Sequence, residues 1–115
     1  MWKILQQGKS DDYVTGTGQS HSVKELVEEA FSYVGLKWEK YVSIDPRYFR
    51  PTEVNNLIAD IKKVKKVFKW QPKISFQDLV KIMVDADMRA LGLDPIGEGD
   101  NILKKKFPDR WWKAD

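Results

Sequence analysis

Arg50, Pro51 and Glu53 fall together in the stretch DPRYFRPTEVNNLIAD, residues 45–60. They are the side chains here best suited to hold a ligand. A guanidinium is planar, always charged and able to grip two phosphate oxygens with parallel hydrogen bonds. Pro51 stiffens the backbone beside it. Glu53 can accept from sugar hydroxyls or hold Arg50 in a productive rotamer. Arg47 and Tyr48 flank the same loop and can add contacts to phosphate or sugar. The plain alternative is that Arg50 and Glu53 form a surface ion pair worth about 0–1 kcal/mol and serving no ligand. Arg47 would then be solvated and Tyr48 half-buried. On the residues alone, the ion pair is the favoured reading of Arg50 and Glu53, while both readings of Arg47 and Tyr48 stay open.

The remaining chemistry is sparse. His21 is the lone histidine, and no carboxylate–histidine cluster accompanies it, so no metal site is expected. Asp85 and Asp87 are two residues apart on an expected helix and point to different sides, so they make no acid/base pair. Gly16-Thr17-Gly18 lacks the third glycine and the strand–loop–helix context of a dinucleotide fingerprint, and reads as a turn. Neither a Ser/His/Asp nor a Cys/His set is present, and no Tyr/Lys pair has supporting context. No catalytic residue is assigned.

The elements that must position Arg50 and Glu53 follow from local signals. Residues 1–7 carry Trp2, Ile4 and Leu5 and read as the last turns of a helix that begins before this chain, with Gly8 ending it. Residues 12–15 are a strand candidate. Ser22-Val23-Lys24-Glu25 is a capping box, predicting a helix on which Val23, Leu26, Val27, Ala30, Phe31 and Val34 recur along one face and which stops at Gly35. Residues 41–44 alternate like a strand, Pro46 and Pro51 punctuate a loop, and residues 54–59 read as a second extended piece. Asp60 can cap a short helix over 61–68, lysines outward. Ser75 opens the longest helix, whose stripe of Phe76, Leu79, Val80, Met83, Ala86, Ala90 and Leu91 is expected to be core, with Leu79 and Met83 buried, ending at Gly92. Residues 94–100 read as a Pro/Gly loop, and residues 94–115 as an irregular aromatic and basic tail. The expected class is α+β: a small lobe of short strands and three to four helices, without a Rossmann cofactor domain.

At 115 residues and 42% hydrophobic, the chain has room for one small domain, 1–115, but not for a cofactor domain as well. With no cysteine there is no disulfide framework, thiolate metal site or cysteine nucleophile. No apolar run approaches the roughly 20 residues that span a bilayer, and no signal peptide is seen, so a soluble, cytoplasmic protein without a membrane partner is expected. The net charge of +3 is mild. Lysines bunch at 62–69 and at 104–106, which raises nucleic acid as a partner, but such runs on short helices are more often solvated faces.

The wording of residues 45–60 resembles the substrate-binding segment of GDP-mannose 4,6-dehydratases, members of the extended short-chain dehydrogenase/reductase superfamily. The resemblance continues through DDYVTGTGQSHSVKELVEEAFSYVGL (11–36), FKWQPKISFQDLVKIMVDADMRALGL (68–93) and a Trp111-Trp112 tail. It implies that Arg50 and Glu53 lie at a nucleotide-sugar site. It also implies the loss of water from GDP-mannose to give GDP-4-keto-6-deoxymannose, a lyase step of GDP-fucose biosynthesis that uses NADP in the full-length enzyme. Such enzymes carry a glycine-rich dinucleotide loop and a catalytic Tyr-x-x-x-Lys pair toward their N-terminus, and neither is read here. The chain is therefore expected to be a C-terminal, substrate-side portion that binds no cofactor alone. Its possible partners are GDP-mannose, a separate N-terminal cofactor-binding chain (a split enzyme) or another copy of itself. A stand-alone interaction module using the basic and aromatic tail is the rival reading. Three departures from the family's wording are noted: Asn55 for aspartate, Ile61 for proline at a first helical position, and Lys69 where a Leu-Gly-Trp-x-Pro element has glycine. A lysine forced left-handed there costs on the order of 1 kcal/mol relative to glycine.

Overall fold

The computed structural model describes residues 1–52 and 56–110. In chain order they form α1 (Trp2–Leu5), α2 (Val23–Tyr33), 3-10 turns over Trp38–Lys40 and Pro46–Tyr48, α3 (Lys62–Phe68), α4 (Phe76–Ala90) and α5 (Glu98–Lys106). Two compact units result. One combines Met1–Ser20 with Arg50–Pro72, the other His21–Phe49 with Lys73–Asp115. Each is taken by itself below.

In the second unit α4 packs on both α2 and α5. Local chemistry sets where the helices begin. The Ser22 hydroxyl accepts from Glu25 N–H at 3.1 Å while the Glu25 carboxylate accepts from Ser22 N–H at 2.6 Å, a closed capping box. Ser75 and Asp78 repeat the device at α4, at 3.1 Å in each direction. Both helices stop at left-handed glycines, Gly35 at φ 74° and Gly92 at φ 73°. The packed face of α4 centres on Val80 and Asp85, with relative exposures of 1% and 0%.

That centre corrects the expected core. Leu79 and Met83 are each 48% exposed, as the stripe on α4 is wider than the faces α2 and α5 cover. Periodicity marks an apolar stripe but not which of its edges is covered. The stretch 94–115 is corrected in part too, since α5 occupies its middle.

The first unit is thinner. Ile61 and Val64 are its buried apolar side chains, at 6% and 2% exposure. Tyr13 packs its ring 4.8 Å from that of Phe68. Lys63 of α3 reaches back to donate to the Asp12 carbonyl at 2.7 Å and to pair with Asp11 at 2.6 Å. The Asp60 carboxylate accepts from Lys62 N–H at 3.0 Å, but α3 begins one residue later than expected, so its N-cap is Ile61, which makes no side-chain cap bond, and not Asp60.

The α+β expectation fails: among the described residues there is no strand. An extended segment becomes a strand only when a neighbour supplies a ladder of N–H and C=O groups. Residues 41–44 leave a 3-10 turn in which the Tyr41 and Val42 N–H groups both donate to the Trp38 carbonyl, at 2.9 and 3.0 Å, so the run starts bent. Residues 12–15 and 56–59 form no strand either. Residues 54 and 55, part of the expected second strand, lie outside the described residues.

Lys69 ends α3 at φ 49°, ψ 32°, the one positive-φ residue other than glycine among those described. Lys69→Gly is expected to stabilise the chain by about 1 kcal/mol, by removing the Cβ clash of a left-handed L-residue. A urea midpoint that stays put or falls would contradict this.

Candidate functional site

Asp45 organises the loop leading to the predicted site. Its carboxylate accepts from Arg47 N–H at 3.0 Å, which caps the Pro46–Tyr48 turn. It also receives the Arg47 guanidinium, with Nε at 3.1 and 3.0 Å from the two oxygens and Nη2 at 2.6 Å. The Arg47 side chain beside it, and secondarily the Arg47 backbone N–H, hold the Asp45 carboxyl below the usual carboxylate range. The same pairing raises the guanidinium's own value. Arg47 is 84% exposed, so it has room for a ligand, but Asp45 would share it. Tyr48 and Phe49 follow, 81% and 69% exposed, as an aromatic surface rather than core.

Arg50 is exposed and opens the second segment of the other unit. Glu53 and Asn55 lie outside the described residues. Of the four predicted binding residues, the structure thus places Arg47 and Tyr48 on one short turn and Arg50 at the surface.

The Tyr-x-x-x-Lys reading needs an amendment. Tyr33-Val34-Gly35-Leu36-Lys37 has that spacing, which the sequence reading passed over. The spacing serves catalysis when both side chains lie one turn apart on a helix. Here α2 ends at Tyr33, Gly35 turns left-handed, and Lys37 begins the next 3-10 turn. The Tyr33 hydroxyl donates to Asp85 at 3.0 Å and accepts from Glu98 N–H at 3.2 Å. Burial, then the hydrogen bond to Asp85, pushes its pKa up, which opposes the activation a catalytic tyrosine needs.

Asp85, considered in the sequence only as half of a dyad, anchors α5. Its carboxylate accepts from the N–H groups of Gly97 at 3.1 and 3.2 Å, Gly99 at 2.8 Å and Asp100 at 3.3 Å, besides the Tyr33 hydroxyl. A fully buried carboxylate is tolerated because each oxygen is satisfied. Two ion pairs flank it, Lys81–Glu98 and Arg89–Asp100, each at 2.5 Å. The signal that could have revealed this is Gly97-x-Gly99 ahead of an acidic first turn, which permits close approach to another helix.

At the far end of α5, Lys106 donates to Asp78 at 2.5 Å. Lys106, and more weakly Ser75, hold the Asp78 carboxyl below its ordinary 3.8, against an opposing effect of burial. A depressed folded value gives stability that is present above the unfolded value and lost as pH falls through the folded one. The stability gap between wild type and Lys106→Met is therefore expected to be constant at neutral pH and to close as pH drops below 3.8. Urea titrations from neutral to acid pH measure it, and a gap independent of pH would refute the link.

Other candidates have structural uses. His21 stacks on Phe76 with centroids 3.9 Å apart and planes 8° from parallel. Gly16 and Gly18 face residues 59–61, where a Cβ on Gly16 would lie 2.9 Å from Ala59 Cβ and one on Gly18 3.3 Å from Ile61. These glycines allow two segments to pack instead of cradling a pyrophosphate, and the residues do not fit a dinucleotide. Among the described residues no cluster of His, Cys, Asp and Glu could hold a metal ion, and no helix is long and apolar enough to cross a membrane.

What fold and loop define is a helical chain with an exposed Arg47–Arg50 loop before an Arg-Pro-Thr-Glu string. Comparison with known proteins gives that string a context. The GDP-mannose 4,6 dehydratase family model matches residues 1–83, so the chain belongs to that family. It is 56% identical over 88 residues to GDP-mannose 4,6 dehydratase 1 of Arabidopsis thaliana, covering 76% of this chain and 24% of that protein. Identity is 44% over 105 residues to the Dictyostelium discoideum enzyme, covering 76% of this chain and 30% of the relative. It is 36% over 112 residues to the Homo sapiens enzyme, covering 83% and 30%. The chain thus spans 24–30% of the length of these relatives. The match to the family model ends before Asp85, so the anchor and α5 lie beyond it.

Proposed function

We propose that this chain is the nucleotide-sugar-binding portion of a GDP-mannose 4,6-dehydratase, with Arg50 as the main diphosphate contact, Glu53 on the sugar or ribose hydroxyls, and Arg47 and Tyr48 at the rim. The observation that carries this reading is the family match over residues 1–83, which runs through Arg50-Pro51-Thr52-Glu53. Physical chemistry supports it. A GDP-sugar brings two phosphate charges, hydroxyl-rich rings and an aromatic base, and the Pro46–Tyr48 turn offers the exposed Arg47 guanidinium and, in Tyr48 and Phe49, exposed aromatic rings.

The whole family reaction, conversion of GDP-mannose to GDP-4-keto-6-deoxymannose, needs NADP and a tyrosine–lysine pair. Gly16 and Gly18 do not fit a dinucleotide, and Tyr33 is committed to Asp85, so no step of that reaction is assigned to residues of this chain. Binding without turnover is its proposed contribution.

Arg50→Ala is expected to weaken GDP-mannose binding by about 1.5–3 kcal/mol, the range for hydrogen bonds to charged groups. Calorimetry on wild type and variant, both shown folded by circular dichroism, measures this. Equal affinities would remove Arg50 from the site. A folded wild-type chain that takes up no GDP-mannose would overturn the binding reading itself.

A further inference from the structure

Asp45 holds Arg47 in a way that decides which edge of the guanidinium a ligand can use. Its carboxylate meets one side of the group, with Nε 3.1 and 3.0 Å from the two oxygens and Nη2 2.6 Å from Oδ2. A guanidinium carries its N–H donors in a rigid planar fork. Side-on pairing engages the Nε hydrogen and one Nη2 hydrogen. The other Nη2 hydrogen and both Nη1 hydrogens lie along the end of the fork, which the carboxylate does not use. That end edge still matches two oxygens of a phosphate, and parallel hydrogen bonds of this kind are the strong form of the contact.

The carboxylate is itself fixed. Oδ1 accepts from Arg47 N–H at 3.0 Å, which ties it to the backbone of the Pro46–Tyr48 turn, and the ring of Pro46 locks the first φ of that turn. The Asp45 side chain is 31% exposed and that of Arg47 84%, so a half-buried anchor steadies a cation that projects into solvent. Held below the usual carboxylate range by Arg47, Asp45 is charged at neutral pH.

Two effects of opposite sign follow for an anionic ligand. Ordering a long side chain on binding lowers affinity by a factor of about three to ten, and an arginine already ordered avoids most of that loss. The Asp45 charge repels the same ligand. Across roughly 8 Å of water that repulsion lowers affinity by only about twofold per charge, before salt screens it further. Ordering therefore outweighs repulsion at physiological salt.

We propose that Asp45 is a positioning residue of the nucleotide-sugar site, acting through Arg47 by presenting the end edge of its guanidinium to the diphosphate. This rests on the binding reading of the preceding subsection and adds the group that orients its rim arginine.

The test is a double-mutant cycle of Asp45→Asn and Arg47→Ala in the whole chain, read by GDP-mannose calorimetry at physiological salt. Asparagine keeps a side-chain oxygen for Arg47 N–H, so the turn is retained and circular dichroism should not change. Asp45→Asn alone is expected to weaken binding about three- to tenfold, and to have no effect once Arg47→Ala is in place. Binding by Asp45→Asn as tight as wild type, or tighter, would overturn the proposal, because the carboxylate would then be idle or merely compete for the arginine. An equal loss with and without Arg47 would overturn it too, by showing that Asp45 acts on the loop and not through the guanidinium. Either result leaves GDP-mannose binding and its dependence on Arg50 standing, whereas a folded wild-type chain that takes up no GDP-mannose removes the site and this role together.

Discussion

Asp85→Ala is expected to destabilise the α2–α4–α5 unit by at least about 3 kcal/mol, since a hydrogen bond to a charged group contributes roughly 1.5–3 kcal/mol and each donor left unsatisfied costs about 1–3 kcal/mol more. Three backbone N–H groups and one phenol converge on this carboxylate, and none can find another partner while α5 stays seated. The loss should be local first. Hydrogen exchange should show Gly97, Gly99 and Asp100 losing protection while the first turns of α2 and α4, held by their own capping boxes, keep theirs. Tyr33→Phe removes one donor to the carboxylate and the acceptor of Glu98 N–H, and should cost about 1.5–3 kcal/mol, less than the alanine variant. Against a total stability of roughly 5–15 kcal/mol for a typical domain, the alanine variant should melt visibly earlier. A melting midpoint within error of wild type would mean that α5 is held by something other than Asp85.

The contrast between Asp85 and Ser22 or Ser75 shows what the sequence could disclose. Both serine caps, both glycine stops and the left-handed Lys69 were readable because each depends on residues within about four positions of one another. The helix α5 was not readable. Its start is held by a carboxylate on α4 and a hydroxyl on α2, and its own wording, Pro95-Ile96-Gly97-Glu98-Gly99, is that of a loop. The strands failed for a related reason: alternation in 12–15 and 41–44 states a preference, but pairing needs a neighbour, and no ladder forms among the described residues. Leu79 and Met83 show the limit of periodicity, which located an apolar stripe and not its covered edge. Of the candidate site, residue chemistry alone favours a surface ion pair for Arg50 over a ligand contact. The nucleotide-sugar role proposed for Arg50 rests on the family's wording rather than on any distance in the structure.

Gly99→Ala sets two effects of opposite sign against each other. Gly99 sits inside α5 with no positive φ, so an alanine there should on propensity alone stabilise the helix by about 0.5–1 kcal/mol. The added Cβ, however, would lie 2.5 Å from the Lys81 carbonyl oxygen and 2.6 Å from the Ile82 Cα and N. These are backbone atoms of α4, and no rotamer change moves them aside. To relieve the contact α5 must lift, stretching the 2.8 Å bond from Gly99 N–H to Asp85 and the neighbouring bonds to the same carboxylate. Overpacking alone typically costs about 1–3 kcal/mol, so the steric effect wins and the variant should be less stable. Asn101→Ala, on the exposed face of the same helix, is the control: propensity acts there without the clash, and stability should hold or rise slightly. Urea titration of both variants decides the matter. If Gly99→Ala were as stable as the control, α5 would not rest backbone-to-backbone on α4, and the anchoring role given to Asp85 would fall with it.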